Sequence, residues 1–253
     1  MNQPQVNAIP ILMYHEVSPK SPPDFRKYVV TPAAFARQMK WLHSAGYVPV
    51  DLDTLLDYRA GIARLRGRPV VITFDDGYRD CINYAVPVLR QYGFTAVFYL
   101  VAGLMGQPSR WLRPIKGFEL DLIDWGTARE LAEAGYKIGS HTLSHPHLAG
   151  LSPEACEAEL CQSRQILQQH LHRPVRHLAF PFGSFDESVR ALAARAGYRS
   201  ACTTEIGVST RLDDPLALHR VPVTGYDSLA DFAWRLVTAY PLGEWWGSKF
   251  HAL

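Results

Sequence analysis

Short apolar runs rich in β-branched and aromatic residues recur along this chain, and most are followed by a longer stretch of helical periodicity. The strand candidates are residues 9–14, 70–74, 96–101, 137–140, 177–180, 200–203 and 218–223. The helical stretches run near 32–45, 82–91, 127–134, 153–171 and 187–196. Thr31-Pro32 and Ser152-Pro153 each pair an N-cap side chain with a first-turn proline, while Gly93, Gly135 and Gly197 supply C-terminal stops. A β-then-α rhythm brings parallel strands together under a cover of helices. It can close as a barrel or spread as an open doubly wound sheet. Chemically able side chains follow four of the strands directly: His15, Asp75-Asp76-Gly77, His141, and Pro181-Phe182-Gly183. Four strand ends aimed at one place fit a TIM-like barrel mouth, whereas an open sheet gathers fewer at its crevice. The barrel is the expectation.

A chain of 253 residues with 47% hydrophobic side chains carries enough apolar material for one large α/β domain, taken here as residues 1–253. The net charge of +2, with no dense Lys/Arg stripe, argues against a nucleic-acid partner. Arg59, Arg64, Arg66 and Arg68 read as a solvated connection ahead of the 70–74 strand. Cys81, Cys156, Cys161 and Cys202 lack metal-ligand spacing and read as reduced thiols, with Cys156 and Cys161 on different helix faces. Residues 1–7 show no basic stretch leading into an apolar one, and no apolar run reaches the roughly 18 residues that span a bilayer. Together these features lead us to expect a cytoplasmic protein without a transmembrane segment. Oligomeric state is not encoded in any feature found.

Two clusters carry chemistry. Val70-Val71-Ile72-Thr73-Phe74 is a buried-strand run that ends abruptly in Asp75-Asp76-Gly77. Adjacent ionised carboxylates repel, which is costly near a core unless a cation or proton compensates. Taken alone, the pair is equally well read as a helix cap beside a solvated acid. His141 and His145 stand four apart after the 137–140 strand, so one turn of chain can aim both imidazoles at one point. Two histidines and one carboxylate leave an open coordination position, as in catalytic rather than structural zinc sites. His147 is better read as packing at a helix start. Trp111 and Trp125 offer flat faces suited to sugars, though packing serves either equally well; Trp245 and Trp246 suit the barrel, a dimer contact or a membrane surface.

Thr73-Phe74-Asp75-Asp76-Gly77 followed by His141-Thr142-x-x-His145 resembles the polysaccharide deacetylase family, the NodB-homology or carbohydrate esterase family 4 domain. The likeness runs from Leu12-Met13-Tyr14-His15 to Arg220-Val221-Pro222-Val223, and 30–47 is similar to bacterial members linked to exopolysaccharide synthesis. It implies an irregular seven-stranded (β/α) barrel. It also implies Asp75 as the general base, and Asp76, His141 and His145 as ligands of a divalent metal, zinc by default or cobalt, nickel or manganese. Pro181-Phe182-Gly183 resembles the third motif, in which the Phe182 N–H supports an oxyanion. Where that motif carries an arginine orienting the base, this sequence has Ala179, and Arg220 is the candidate replacement. His219 lies near the family's late histidine, the general acid. Strand alternation lets only one of His219 and Arg220 face the interior, and His15 is a further candidate acid.

The expected function is hydrolytic removal of an acetyl group from an N-acetylated sugar or polysaccharide precursor. An O-acetyl ester or a non-sugar amide is the alternative on the same metal site, since loops choose the substrate. A non-catalytic carbohydrate-binding protein is the reading from another class, resting on Ala179 and the unmatched acid.

Overall fold

A computed structural model describes residues 8–240 and 242; Trp245 and Trp246 lie outside the described residues. Seven strands form a closed ring in chain order: β1 (Ile11–Tyr14), β2 (Arg68–Phe74), β3 (Val97–Leu100), β4 (Lys137–Ser140), β5 (His177–Ala179), β6 (Ser200–Ile206) and β7 (Leu218–Pro222). Each pairs in parallel with its neighbours, and β7 closes on β1 through Val221–Leu12 and Pro222–Met13. The ring is irregular: β4 meets β5 at Ser140–Leu178, and the β6–β7 register shifts between Cys202 and Ile206. A short strand, Tyr47–Pro49, pairs with the start of β2. This is the TIM-like (β/α) barrel expected from the rhythm, not an open sheet.

Helices α1 (Pro32–Ser44), α2 (Leu52–Arg59), α3 (Arg79–Tyr92), α4 (Arg113–Lys116), α5 (Trp125–Glu133), α6 (Pro153–Leu171), α7 (Glu187–Arg195) and α8 (Leu229–Thr238) complete the fold. Thr31 and Ser152 cap α1 and α6 by accepting from Ala34 N and Ala155 N, each at 3.3 Å, with proline in the first turn. Asp51, Asp124 and Asp186 cap α2, α5 and α7 in the same manner. Among the described residues no helix is long and apolar enough to cross a membrane.

The strands' period of two sorts the core into two bodies. On β2, Val70, Ile72 and Phe74 pack outward under the helices, while Val71 points into the lumen. The lumen body is built from Ile11, Val71, Val97, Tyr99, Ala179, Cys202 and Leu218. Gly139 on β4 makes room for it, because a Cβ there would enter the Tyr99 ring. From the N-terminal end of the strands, Leu52, Leu55 and Tyr58 of α2 join this body and close the lumen. Ion pairs hold α2 there: Asp51 with Lys137 at 3.1 Å, Asp53 with Arg176 at 3.2 Å and Asp57 with Arg199 at 3.0 Å.

Sequence patterning overlooked α2, α8 and the single-turn α4. The eight residues of α2 bury Leu52, Leu55, Leu56 and Tyr58 but carry three charged side chains, so the apolar period is too short to stand out. The arginine run also differs from expectation. Arg59 is not part of a solvated connection; its side chain is 9% exposed and lies 4.0 Å from Asp213, because it ends the plugging helix.

Leu55 is fully buried in the lumen body. Leu55→Ala leaves a cavity that the ring cannot collapse around, and a loss of about 3 kcal/mol in urea unfolding is expected. A loss below about 1 kcal/mol would mean that α2 is not part of the cooperative core.

Candidate active site

Alternation along the strands delivers side chains to the C-terminal mouth. Val71, Thr73 and Asp75 follow one another on the inner face of the β2 line, as do Leu218 and Arg220 on β7, and Ile11, Met13 and His15 on the β1 line. The mouth opens into a cavity of about 800 Å³ whose lining includes His15, Asp75, Asp76, Tyr78, Trp111, His141, His145, His147 and Phe182.

Asp75 and Arg220 meet in the lumen, and both are buried. Arg220 Nη1 donates to Asp75 Oδ1 and Nη2 to Oδ2, each at 2.7 Å, in the parallel fork that suits a guanidinium and a carboxylate. Further guanidinium donors are used as well: Nε donates to the Thr203 carbonyl at 2.8 Å and Nη1 to Thr73 Oγ1 at 3.2 Å. Burial by itself would raise the Asp75 pKa, but the Arg220 charge and hydrogen bonds outweigh it and hold the carboxyl below its ordinary value. Burial likewise opposes the Arg220 charge, and Asp75 more than restores it.

Asp76, His141 and His145 form the second group, with one donor atom from each lying within 4.8 Å of the others. Asp76 Oδ1 stands 3.3 Å from His141 Nε2 and 3.1 Å from His145 Nε2. His141 Nδ1 lies 2.8 Å from the Ala179 carbonyl, which can only accept, so that nitrogen carries the hydrogen. In the neutral ring Nε2 is then a lone pair facing a carboxylate oxygen, and two acceptors face each other without a proton. A cation shared by the three groups resolves that conflict, and two imidazoles plus one carboxylate suit a divalent ion. The donor set therefore fits the metal that the sequence motifs imply.

The backbone is strained here more than elsewhere. Six non-glycine residues among those described have positive φ: three line this mouth, Asp76 (73°), His145 (66°) and Phe182 (57°), and a fourth, Thr142 (68°), lies in the loop between the two histidines. Supporting bonds hold the His141–His145 loop in that shape. Glu159 of α6 accepts from Leu143 N at 2.8 Å, Ser144 N at 2.9 Å and Ser144 Oγ at 2.5 Å. Thr142 Oγ1 accepts from His145 N at 3.1 Å. Aromatic rings wall the histidines. Trp111 stacks on His145 with centroids 4.2 Å apart, and Phe182 stands edge-on to the same ring at 4.6 Å. His147 stacks on Phe182 at 4.1 Å.

The competition on β7 is settled by alternation: Arg220 turns inward and His219 does not. His219 is 38% exposed on the opposite face, with Nδ1 3.2 Å from Asp213 and Nε2 3.4 Å from Glu205, so it does not reach the cavity as an acid would. His15 does line the cavity, edge-on to Tyr28 at 5.0 Å, with burial lowering its pKa. Trp125 is not in the groove; it stacks on His170 between α5 and α6 at 3.9 Å. Cys81, Cys156, Cys161 and Cys202 are free thiols, Cys156 buried and Cys161 exposed. Tyr78 and Glu159 belong to the site without having been singled out. Tyr78 had the signal of lying two residues past Asp76, whereas Glu159 lies in a helix and nothing in sequence tied it to the histidine loop.

The family model for polysaccharide deacetylases matches residues 63–201. The chain belongs to the polysaccharide deacetylase family. It is 32% identical over 221 residues to YxkH of Bacillus subtilis, named after the same family, covering 85% of this chain and 71% of that one. It is 29% identical over 143 residues to the poly-β-1,6-N-acetyl-D-glucosamine N-deacetylase of Escherichia coli K12, covering 54% of this chain but only 21% of that protein. The deacetylase PplD of Streptococcus pyogenes, solved with acetate, has the same fold: the TM-score is 0.79 at 24% identity, over 90% of this chain and 98% of that one.

Arg220→Gln would strand Asp75 as a buried carboxylate, and a loss of about 3–5 kcal/mol at pH 7 is expected. In the native protein the depressed Asp75 pKa contributes stability above its unfolded value, which is lost as pH falls through the folded one. In the variant burial raises that pKa, so the carboxyl is stabilising only when protonated. The deficit in urea unfolding should therefore be larger at pH 7 than at pH 5; equal deficits would show that Arg220 does not act through the Asp75 charge.

Proposed function

We propose that the protein is a divalent-metal-dependent hydrolase that releases acetate from an N-acetylated saccharide. The observation that carries this reading is the placement of an arginine-held carboxylate, Asp75, beside the convergent Asp76, His141 and His145 in one open cavity. The family and the substrate named for the Escherichia coli relative support an N-acetylglucosamine-containing glycan.

Asp76, His141 and His145 would hold the ion, with zinc the default for this donor set and cobalt, nickel or manganese alternatives. When bound, such an ion supplies Lewis acidity and draws the pKa of water toward neutrality. The chain's own groups perform the rest. Asp75, kept ionised by Arg220, accepts the proton of the attacking water. Arg220 fixes the carboxylate plane, which is the task left open by Ala179. The Phe182 N–H, on the strained turn after β5, serves the oxyanion that develops on the acetyl carbonyl. The proton that Asp75 accepts is returned to the departing nitrogen, with His15, the cavity histidine outside the Asp76 group, as the group that relays it. The stacked His147 and Phe182 rings offer a flat apolar face for the sugar. With Arg220 in place on Asp75, the departure at Ala179 no longer favours a non-catalytic binding protein.

Metal content and acetate release from N-acetylglucosamine oligomers test these roles together. The wild type should hold about one divalent ion per chain, the number the three-ligand site accommodates. Asp75→Asn should keep the ion and lose about 10²–10⁴-fold in kcat, the range for a general base. His141→Ala should lose the ion. Release from O-acetyl esters but not from amides would move the reaction to the ester; absence of metal from the wild type under metal-replete conditions would overturn the reading.

A further inference from the structure

The charges that line the cavity do not balance. Among the described residues Asp75 and Asp76 are its only carboxylates, and both are engaged, by Arg220 and by the two histidines. Three cationic side chains line the same space: Lys27, Lys116 and Arg235. Arg235 is satisfied, since Nε and Nη2 donate to Asp227 Oδ1 at 3.3 and 3.2 Å. Lys27 and Lys116 have no carboxylate within ion-pair distance among the described residues. The nearby arginine on α4, Arg113, is by contrast matched with Glu119 at 4.0 Å.

The two lysines come from different parts of the chain. Lys27 lies on the 3-10 segment Pro23–Tyr28, and Lys116 is the last residue of α4. The Phe25–Phe118 edge contact, at 5.4 Å, ties these segments together on one side of the mouth. The same cavity wall carries the apolar side chains of Phe25, Tyr28, Leu112 and Ile115. Low-dielectric walls concentrate a field that open water would disperse. A divalent ion at Asp76, His141 and His145 would add further positive charge to the same space.

We infer that the saccharide accepted here is anionic, carrying a phosphate or carboxylate on or next to the acetylated sugar, and that Lys27 and Lys116 receive that group. The inference rests on the cavity being the substrate site of the proposed hydrolase and specifies which glycans enter it. Lys27 Nζ lies over the Tyr28 ring at 5.8 Å, a weak contact that leaves its charge unmatched, and a neutral glycan gives neither lysine a counter-charge. A polymer that already carries free amines is repelled by them, which makes the selection one of exclusion as well as attraction.

The experiment is calorimetric binding to the metal-loaded full chain, with acetate release followed in parallel. The probes are tri-N-acetylchitotriose, its 6-O-phosphate ester, and a trisaccharide in which glucuronic acid flanks N-acetylglucosamine. At least one anionic probe should bind about tenfold more tightly than the neutral one at about 50 mM salt, with the advantage shrinking at about 500 mM as screening shortens the range of the field. The phosphate and carboxylate arms show which anion is meant. The double variant Lys27→Gln/Lys116→Gln should lose the preference while binding the neutral probe within about twofold of wild type. Equal binding of all three probes, binding of none, or a preference that survives in the double variant would overturn the inference. Binding and turnover separate the two readings. Selective binding without acetate release leaves the anion selectivity standing and removes the deacetylase. Acetate released equally from all probes does the reverse.

Discussion

The pair of Asp75 and Arg220 is the constraint around which the barrel mouth is arranged. A carboxylate and a guanidinium lie in the lumen at 2.7 Å, and the guanidinium directs its other bonds at the Thr203 carbonyl and the Thr73 hydroxyl. Removing two charges from water costs several kcal/mol per ion, so such a pair persists only where geometry recovers that cost. The recovery requires β2 and β7 to hold a fixed register through β1, which bonds to both. It also requires β6 to present the Thr203 carbonyl from the far side of β7. Ring closure and the ionisation state of Asp75 are thus one problem with one solution.

That arrangement frees Asp76 for a different role. Adjacent residues on a strand face opposite ways, yet here both carboxylates reach the same cavity, because the chain leaves β2 after Phe74 and Asp76 turns through a positive φ. Two neighbouring carboxylates therefore occupy separate electrostatic surroundings, one neutralised by an arginine and the other facing two imidazoles. Division of this kind is how one site keeps a base and a ligand from competing for the same proton or ion.

Much of this was legible from sequence, for identifiable reasons. The seven barrel strands are short and mostly apolar, and every one coincides with a run of that kind, within a few residues at each end. Asp75, Asp76, His141 and His145 stand out because a carboxylate pair and a histidine pair directly after buried strands have few structural uses. What escaped was non-local. The choice between His219 and Arg220 depended on which parity of β7 faces inward, and sequence alternation fixes that parity only once the ring is assembled. The α2 plug was hidden by its charged outer face. Glu159 went unseen because the groups it accepts from, at Leu143 and Ser144, lie in a separate loop. No periodicity in α6 marks one glutamate among its polar residues as their acceptor.

The lumen body has a further consequence for traffic. Leu52, Leu55 and Tyr58 stopper the barrel from below, and Tyr99 fills the space that Gly139 vacates, so the described residues leave no bore running through the ring. Whatever enters at the mouth must leave by it. For a reaction with two products of unequal size, whichever is formed deeper in the cavity waits behind the other. Departure then has an order imposed by shape alone.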